Sequence, residues 1–280
     1  MLYLCATPIG NLGDITLRVL ETLRSVSLIA AEDTRNSRVL LDKYDIRTPM
    51  TSYHEHNAVA KGEVLIGKML RGEDIALITD AGTPAISDPG EILVKMCYEY
   101  DIPVTSLPGP SAVITALTLS GMSARRFVFE GFLPREKKEL AEVMEMLRTE
   151  RRTIIFYEAP HRLKKTLEVL GKSFGDGRRI ALCRELTKKF ETVDRMTIGK
   201  AREWYEENEP RGEYVLVVEG MSGEEAASQK AAEWETMSVA EHVAMYEEQG
   251  HDHKEAMKLA AKDRGVSRRD IYQELLGGKD

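Results

Sequence analysis

Glycine and proline are concentrated in three short segments that each follow a predicted buried strand: residues 7–14, 79–90 and 108–112. The middle segment holds two glycines, two prolines and two aspartates in twelve residues, which is more than a turn requires. Glycine allows a ligand to approach the backbone closely, and N–H groups near a helix start can bind anionic or polar groups. We interpret residues 79–90 as a binding loop, whereas the other two segments, taken alone, are also consistent with plain turns.

None of these segments has the spacing of a common nucleotide-binding motif. The dinucleotide pattern G-x-G-x-x-G does not occur in the chain, and neither does the Gly-Lys-Ser/Thr sequence of a P-loop. Open α/β sheets bind ligands outside the carboxyl ends of their strands, which is where these segments are predicted to lie. The sequence therefore predicts a ligand site of a different kind at that edge.

Polar side chains are also clustered at the ends of predicted strands, in residues 31–35, 53–57, 157–162 and 184–191. His54 and His56 could form part of a metal site, but no cysteine or third histidine lies near them in sequence, so no metal site is predicted. Because strand ends of such a sheet meet at one edge, we expect these clusters to join the glycine-rich loops at one rim of the fold.

The elements that must position these residues follow two patterns. Up to residue 121, short apolar strands alternate with amphipathic helices, which predicts a parallel or mixed sheet covered by helices. From residue 126 to 219, five strands are separated by fewer helices, and the last three follow one another closely, so part of the second sheet is expected to be antiparallel. Residues 238–276 have the pattern of three short helices interrupted at Gly250 and Gly265, and Ser267 with Asp270 has the spacing of a capping box.

The chain of 280 residues is long enough for two domains with sizeable cores. We expect an α/β domain over residues 1–121, a second α/β domain over 122–220, and a linker with a small helical segment over 221–280. No apolar run approaches the roughly 18 residues of a membrane span, and the first residues lack the pattern of a signal peptide. The three cysteines stand far apart, which predicts small buried side chains in a reducing cytoplasm.

The charge of the chain is unevenly distributed. The net charge of −7 argues against a general nucleic-acid coat protein. Residues 1–120 carry −5, residues 125–202 carry +8 and residues 220–280 carry −5. The basic middle section is consistent either with solvated helix faces or with a surface for an anionic partner, and composition alone does not separate the two.

Seven motifs stand in the order found in one known family: residues 7–16, 31–35, 53–57, 80–90, 108–112, 156–162 and 184–189. Over about residues 1–220 they closely resemble the small-subunit ribosomal RNA methyltransferase I family, cytidine 2′-O-ribose methyltransferases of the tetrapyrrole-methylase fold. Two positions depart from the pattern of that family. Ala85 stands where glycine is expected, and Ala159 stands where serine is usual, with the loss of a hydrogen bond.

The resemblance implies a two-domain α/β fold of the tetrapyrrole-methylase type with a small C-terminal helical segment. It also implies S-adenosyl-L-methionine in the cleft between the domains, a homodimer and no metal. Matched motif by motif, it implies that the cofactor contacts Pro8, Ile9, Gly10, Asp80, Gly82, Thr83, Ile86, Ser111, Ala112, Tyr157, Gly212 and Glu213.

The same resemblance implies methyl transfer to the ribose hydroxyl of a cytidine in small-subunit ribosomal RNA, either naked or within an assembled small subunit. Such a displacement needs aligned reactants, and the weakly nucleophilic hydroxyl benefits from a base that accepts its proton. Candidates for the base are Glu32, Asp33 and His56, with Arg35 orienting a carboxylate or binding phosphate.

Two other functions remain open from the sequence. The first is methylation of a small tetrapyrrole by the same fold, against which the basic section at residues 125–202 argues. The second is a non-enzymatic RNA-binding module, which the terminal helices favour and the dense loop motifs of the first 120 residues disfavour.

Overall fold

The first five strands of the computed structural model form one parallel sheet. They are β1 (Leu2–Cys5), β2 (Leu28–Ala31), β3 (Met50–Ser52), β4 (Ile75–Ile78) and β5 (Val104–Leu107), in the spatial order β3-β2-β4-β1-β5. Strands β1, β2 and β4 are almost continuous buried apolar runs, as expected for a sheet covered on both faces. Because every pairing is parallel, all five strands deliver their following loops to one edge.

Helices α1 (Leu17–Ser25), α2 (Thr34–Lys43), α3 (Ala58–Leu70) and α4 (Gly90–Glu99) cover both faces of this sheet. Short 3₁₀ helices lie at Leu12–Asp14 and Glu55–Asn57, and α5 (Ala112–Ser120) follows β5. Two apolar clusters fill the two interfaces, one around Leu23 and Leu41 and the other around Leu65 and Leu93. The predicted alternation of strands and helices is confirmed.

The second sheet is mixed and has the order β6-β7-β10-β8-β9. Its strands are β6 (Phe127–Phe132), β7 (Thr153–Glu158), β8 (Arg179–Arg184), β9 (Thr192–Thr197) and β10 (Tyr214–Val218), and its helices are α6 (Lys137–Leu147), α7 (Pro160–Phe174) and α8 (Ile198–Glu207). Strands β6 and β7 are parallel, whereas β7–β10, β10–β8 and β8–β9 are antiparallel, which confirms the expected partial antiparallel character.

Helix α5 belongs to the first sheet by sequence and packs on the second. Val113, Ala116 and Leu117 lie in one apolar cluster with Ile155 on β7 and Val217 on β10. The segment that precedes this helix therefore connects the strand ends of the first sheet to the core of the second.

Both sheets lie in one compact unit, formed by Met1–Glu145 with Arg152–Glu219, and Met146–Arg151 with the chain from Gly220 onward forms another. The structure describes residues 1–226, 228, 234 and 237–277. The predicted division of the α/β part at residue 121 stays a prediction. In the predicted linker, residues 223–226 are helical, and residues 227, 229–233, 235 and 236 lie outside the described residues. In the described part of the chain, no helix is both long and apolar enough to cross a membrane.

Within residues 237–277, all of which are described, the terminal unit has three helices, as predicted: α9 (Val239–Glu248), α10 (His253–Asp263) and α11 (Arg268–Gly277). The predicted capping box is present, since the Ser267 N–H donates to Asp270 at 2.9 Å and the Asp270 N–H donates to Ser267 at 3.2 Å. Ser238 and Glu241 form a second capping box at α9. Val243, Ala260 and Ile271 lie in the small core that the helices share.

The three cysteines, Cys5, Cys97 and Cys183, are buried and free. Burial raises the pKa of Cys5 and Cys183 to about 12 and that of Cys97 to about 11, so none is a reactive thiolate near neutral pH. Their predicted role as small buried apolar side chains is confirmed.

Candidate active site

The loops that follow β1 and β4 are joined backbone to backbone. The Thr7 N–H donates to the Gly82 carbonyl at 2.9 Å, and the Gly82 N–H donates to the Thr7 carbonyl at 3.0 Å. The Thr7 hydroxyl also donates to the Thr79 carbonyl at 3.0 Å. Gly82 has a φ of +83°, a conformation that glycine adopts without a steric penalty. Two of the predicted cofactor segments are thus fixed against each other.

The loop over residues 79–90 contains backbone that L-residues rarely adopt. Ala85 has a φ of +68° and Ser87 a φ of +62°. The Asp88 carboxylate holds this turn because one of its oxygens accepts from the Ala85 N–H at 3.0 Å and from the Gly90 N–H at 2.7 Å. Burial raises the pKa of Asp88. The loop presents Ile86 with half of its side chain exposed.

The segment between β5 and α5 packs directly beside these loops. The Thr83 hydroxyl donates to the Pro110 carbonyl at 3.3 Å. A Cβ atom at Gly109 would lie 2.7 Å from the Ala6 Cβ, so only glycine allows this approach to the end of β1. Ser111 follows as the N-cap residue of α5, and Ala112 begins the helix. The predicted segments 7–14, 79–90 and 108–112 therefore meet at one edge.

The second sheet contributes the loop at residues 185–191 to the same place. A Cβ atom at Gly10 would lie 2.5 Å from Lys188 Cγ and 2.9 Å from the Leu186 carbonyl oxygen, so glycine at position 10 is required by this contact. Glu185 and Thr187 have φ values of +52° and +66°. The Thr187 hydroxyl is buried and has no hydrogen-bond partner among the described residues.

Gly212 and Glu213 are held against this loop. The Glu213 N–H donates to Glu185 Oε1 at 3.0 Å, and Lys188 Nζ lies 2.9 Å from Glu185 and 2.6 Å from Glu213. Gly212 has a φ of +80°, and a Cβ there would lie 2.6–2.7 Å from the Glu185 side chain. The pairing of Lys188 with two carboxylates means that this lysine, part of the predicted basic section, is engaged within the protein.

Ile9, Ala112 and Tyr157 border one apolar cluster in which each is partly buried. Burial raises the pKa of the Tyr157 phenol, which is therefore neutral at physiological pH. The structure thus brings together residues from the loop after β1, from β7 and from α5 that were predicted to contact one ligand. It leaves part of each apolar side chain accessible.

The carboxylates of Glu32 and Asp80 follow β2 and β4. Glu32 Oε2 accepts from the Thr79 hydroxyl at 2.7 Å. Asp80 accepts from the Asp33 N–H at 3.1 Å and from the Asn36 side-chain amide at 2.9 Å. Both carboxylates are therefore positioned by neighbouring strand ends rather than left free in solvent.

Asp33 and Arg35 form a local pair at the start of α2. Arg35 donates to both carboxylate oxygens of Asp33, at 3.1 and 2.7 Å, and the Arg35 N–H donates to the same group at 2.8 Å. These hydrogen bonds lower the pKa of Asp33 to about 2. Such a carboxylate is a weak base, so the geometry disfavours Asp33 among the three predicted candidates and assigns Arg35 to orienting it.

The two histidines follow β3. The ring centroids of His54 and His56 lie 6.0 Å apart in an edge-to-face arrangement. His54 Nε2 lies 3.2 Å from the Asn57 side-chain amide, whereas His56 is exposed. Among the described residues, no group of three or more histidine, cysteine, aspartate or glutamate side chains is arranged to hold a metal ion.

Several members of the basic section are not free to contact a partner. Arg162 lies 3.6 Å from the buried Glu158 carboxylate and donates to the Leu133 carbonyl at 2.6 Å. Lys164 forms a salt bridge with Glu209 at 2.6 Å. The basic section therefore does not act as one continuous free surface, because these side chains already have partners within the chain.

A model of the tetrapyrrole (corrin/porphyrin) methylases matches residues 1–202. The chain belongs to this family. Family membership agrees with the glycine-rich loops described above, which occupy the strand ends within the matched range. It also confirms the two-sheet α/β fold that the motifs predicted.

Full-length relatives support the assignment to the tetrapyrrole methylase family. The chain is 48% identical over 272 residues to a Bacillus subtilis (strain 168) protein named ribosomal RNA small subunit methyltransferase I, covering 97% of this chain and 92% of the relative. It is 43% identical over 277 residues to the protein of the same name from Escherichia coli O157:H7, covering 98% and 94%.

Solved structures share the family fold at low sequence identity. Diphthine synthase superposes with a TM-score of 0.63 at 12% identity, over 78% of this chain and 89% of that one. Uroporphyrin-III-C-methyltransferase from Thermus thermophilus superposes with a TM-score of 0.57 at 19% identity, over 78% and 93%. At these identities the likeness concerns the fold alone.

Sequence reasoning missed three polar side chains at this edge. Thr79 and Asn36 hold the two carboxylates, and the Thr187 hydroxyl is buried beside Gly10. Thr187 lies inside a polar motif that the sequence did single out. No sequence pattern pointed to Asn36, because its role depends on β2 and β4 being neighbouring parallel strands.

Proposed function

We propose that this chain transfers a methyl group from S-adenosyl-L-methionine to the 2′-hydroxyl of a cytidine in small-subunit ribosomal RNA. The observation that carries the proposal is the convergence of constrained loops from both sheets on one edge. It is supported by the relatives named ribosomal RNA small subunit methyltransferase I, which the chain matches over nearly their full length. The substrate is either naked RNA or an assembled small subunit, and an enzyme with this substrate acts in the cytoplasm as a predicted homodimer.

The residues at this edge fit the proposed cofactor. Ile9, Ala112 and Tyr157 offer partly exposed apolar surface for a flat ring, and Ile86 adds to it from the constrained loop. The buried Thr187 hydroxyl lacks a partner among the described residues, and a polar group of a ligand would satisfy it. The remaining proposed contacts are Pro8, Gly10, Asp80, Gly82, Thr83, Ser111, Gly212 and Glu213.

When bound, the cofactor supplies an electrophilic methyl group, so the chain needs no covalent intermediate of its own. The protein's part is to align the ribose hydroxyl and to accept its proton. We propose Glu32 as the base, because its carboxylate is held by Thr79 at the rim and forms no salt bridge with any cation in the described part of the chain. His56 is the second candidate, and the Arg35 guanidinium, whose direction is fixed by Asp33, is proposed to contact a phosphate of the substrate.

The decisive experiment uses cofactor with a radiolabelled methyl group and three acceptors: small ribosomal subunits that lack the modification, naked small-subunit RNA, and uroporphyrinogen. We expect label in RNA that survives alkaline hydrolysis as a dinucleotide, because a 2′-O-methyl group blocks cleavage of the adjacent phosphodiester. Label in the tetrapyrrole alone, or none in any acceptor, would overturn the proposal.

The base assignment is tested with Glu32→Gln and His56→Asn. Loss of a general base lowers kcat by about 10²- to 10⁴-fold. We expect that loss for Glu32→Gln, with the cofactor affinity unchanged. If His56→Asn alone shows this behaviour, His56 is the base instead.

A further inference from the structure

Phe132 is an exposed aromatic side chain on a fixed part of the backbone. It is the last residue of β6, and 52% of its surface is accessible. An apolar ring of this size at the end of a sheet strand loses the stabilisation that burial would give. Single exposed apolar side chains are common on protein surfaces, so it is the surroundings of Phe132 that distinguish it.

The backbone around Phe132 is constrained on both sides. A bulge interrupts the pairing of β6 with β7 between Phe129 and Gly131, and Gly131 has a φ of +64°. On the other side, the Leu133 carbonyl accepts a hydrogen bond from Arg162 at 2.6 Å, and Arg162 in turn faces the buried Glu158. The bulge and this hydrogen bond fix the direction in which the ring points, as a preformed contact surface requires.

Phe132 also lies beside the residues of the candidate site. Its ring centroid is 5.6 Å from that of Tyr157, which is in the apolar cluster with Ile9 and Ala112. A Cβ atom built on Gly131 would lie 3.3 Å from the Ser87 hydroxyl in the constrained loop. The exposed face of Phe132 is thus at the rim of the proposed cofactor site, next to the loop that carries Ile86.

The chain that follows Phe132 is positively charged. Arg135 and Lys137 are exposed, and neither has a salt-bridge partner in the part of the chain that the structure describes. By contrast, Lys138 lies 4.0 Å from Glu142. A rigid exposed ring next to unpaired cations is the combination by which proteins bind single-stranded RNA, with stacking on the ring and phosphates on the cations.

We infer that Phe132 is a stacking platform for an unpaired nucleobase of the RNA substrate, with Arg135 and Lys137 contacting the adjoining phosphates. The inference rests on the proposed function and adds the residue that orients the acceptor nucleotide. A base that is stacked within a helix cannot enter a cleft together with its ribose. A nucleotide that has left its stack therefore needs a surface that holds its base, and the ring of Phe132 provides such a surface.

The test compares Phe132→Leu, which keeps apolar bulk without a ring, with Phe132→Trp, which keeps a ring. The matched control is Trp204→Leu, because Trp204 is similarly exposed at 57% but lies on α8. We expect Phe132→Leu to lower kcat/KM for small ribosomal subunits by about 5- to 150-fold, the range for loss of one base–aromatic stack. Phe132→Trp should stay within about threefold of the wild type, and Trp204→Leu should be unchanged.

Two further measurements separate stacking from a structural role. Calorimetry should give the same cofactor affinity for Phe132→Leu and the wild type, and thermal unfolding should give the same Tm. Equal kcat/KM for Phe132→Leu and Trp204→Leu would overturn the inference while leaving the proposed function intact.

The fluorescence of the indole introduced by Phe132→Trp tests the stack without catalysis. The measurement uses a background in which Trp204→Phe and Trp234→Phe remove the two natural tryptophans. We expect quenching by a single-stranded oligocytidylate and none by the same strand paired with oligoguanylate. If the wild type methylates no RNA but this quenching occurs, the proposed function fails and the stacking surface stands. No quenching together with active wild-type enzyme would remove Phe132 from the substrate site.

Discussion

Left-handed backbone is used differently in the α/β unit and in the terminal helical unit. In the α/β unit, six non-glycine residues adopt this conformation: Asp45 and Asp101 in turns that follow helices, Ala85 and Ser87 in one loop of the candidate site, and Glu185 and Thr187 in the other. In the described part of the terminal unit, the positions with positive φ are Gly250 and Gly265, where no side chain is strained.

The difference shows where the protein tolerates local strain. A non-glycine residue in the left-handed region costs roughly 1–3 kcal/mol and persists only where surrounding contacts hold it. Asp88 holds the first loop through two backbone N–H groups, and Glu191 holds the second by accepting from the Thr187 N–H at 2.6 Å. The helix ends described in the terminal unit follow local rules, with capping boxes at Ser238 and Ser267 and glycine turns at Gly250 and Gly265.

The largest expected effect is a difference in cofactor binding between substitutions at two glycines of similar backbone conformation. Gly82 has a φ of +83° in the candidate site, and Gly250 has a φ of +94° in the terminal unit with open space around it. Valine at either position is strained by about 1–2 kcal/mol. We expect Gly82→Val to weaken cofactor binding by at least about 100-fold in calorimetry, because the loop must admit a ligand beside Ile9. Gly250→Val should bind the cofactor normally.

A folded Gly82→Val protein with unchanged cofactor affinity would contradict this distinction, because the strained loop would then have no role in binding. Circular dichroism and thermal unfolding provide the control that the variant is folded. Loss of cofactor binding in Gly250→Val would show instead that strain anywhere in the chain disturbs the site.

The terminal unit contains a fully buried titratable side chain that makes its stability depend on pH, His242. Its Nδ1 accepts from Arg264 at 3.1 Å, its Nε2 lies 3.5 Å from Asp263, and its ring stacks between Trp234 and Tyr246. Burial and the Arg264 charge lower the pKa of His242 below its ordinary value of 6.5. Arg264 also donates to the Met237 carbonyl, so it is a structural residue rather than a free contact for RNA.

The lowered pKa fixes the sign of a pH effect. Between pH 6.5 and the folded-state pKa, the unfolded chain binds a proton that the folded chain does not, so stability falls as the pH decreases through this window. We expect the terminal unit to unfold at lower denaturant concentration at about pH 5.5 than at about pH 7.5, as followed by Trp234 fluorescence in a Trp204→Phe background. His242→Gln should remove most of the difference, and an equal difference in that variant would exclude His242 as its source.

The sequence predicted the elements well because each carries a local signal. The apolar runs of β1 and β4, the helical spacing in α1 and the Ser267–Asp270 capping box all depend on neighbours in the chain. The convergence of glycine-rich loops could also be predicted, since parallel strands bring their ends together. The partners of the charged groups could not be predicted. Lys164 forms a salt bridge with Glu209, and Arg264 contacts His242; because these residues are distant in sequence, no spacing pattern indicates the contacts.

Substitutions at helix N-caps are expected to change the stability of the two units by a smaller amount and in opposite directions. Ala159 is the N-cap residue of α7 and makes no side-chain hydrogen bond, whereas Ser238 caps α9 by accepting from the Glu241 N–H at 3.2 Å. Ala159→Ser should raise the free energy of unfolding of the α/β unit by about 1 kcal/mol, because serine supplies the missing acceptor. Ser238→Ala should lower that of the terminal unit by about as much. Urea denaturation measures both, and no gain in Ala159→Ser would mean that the first turn of α7 is already satisfied in another way.

The smallest expected effect concerns the strain at Ala85 itself. Removing its Cβ relieves about 1–2 kcal/mol of left-handed strain, while glycine adds about 0.4–1 kcal/mol of chain entropy to the unfolded state. Ala85→Gly should therefore stabilise the protein by about 0.5 kcal/mol. Ala81→Gly, in the same loop at a position without positive φ, should destabilise it by a similar amount.

Because the hydrogen bond from the Ala85 N–H to Asp88 does not involve the side chain of Ala85, the loop in Ala85→Gly should keep its shape and the cofactor affinity should stay within about twofold. Urea denaturation and calorimetry on the two variants measure these effects, and destabilisation by both would show that the backbone at residue 85 is not strained in solution.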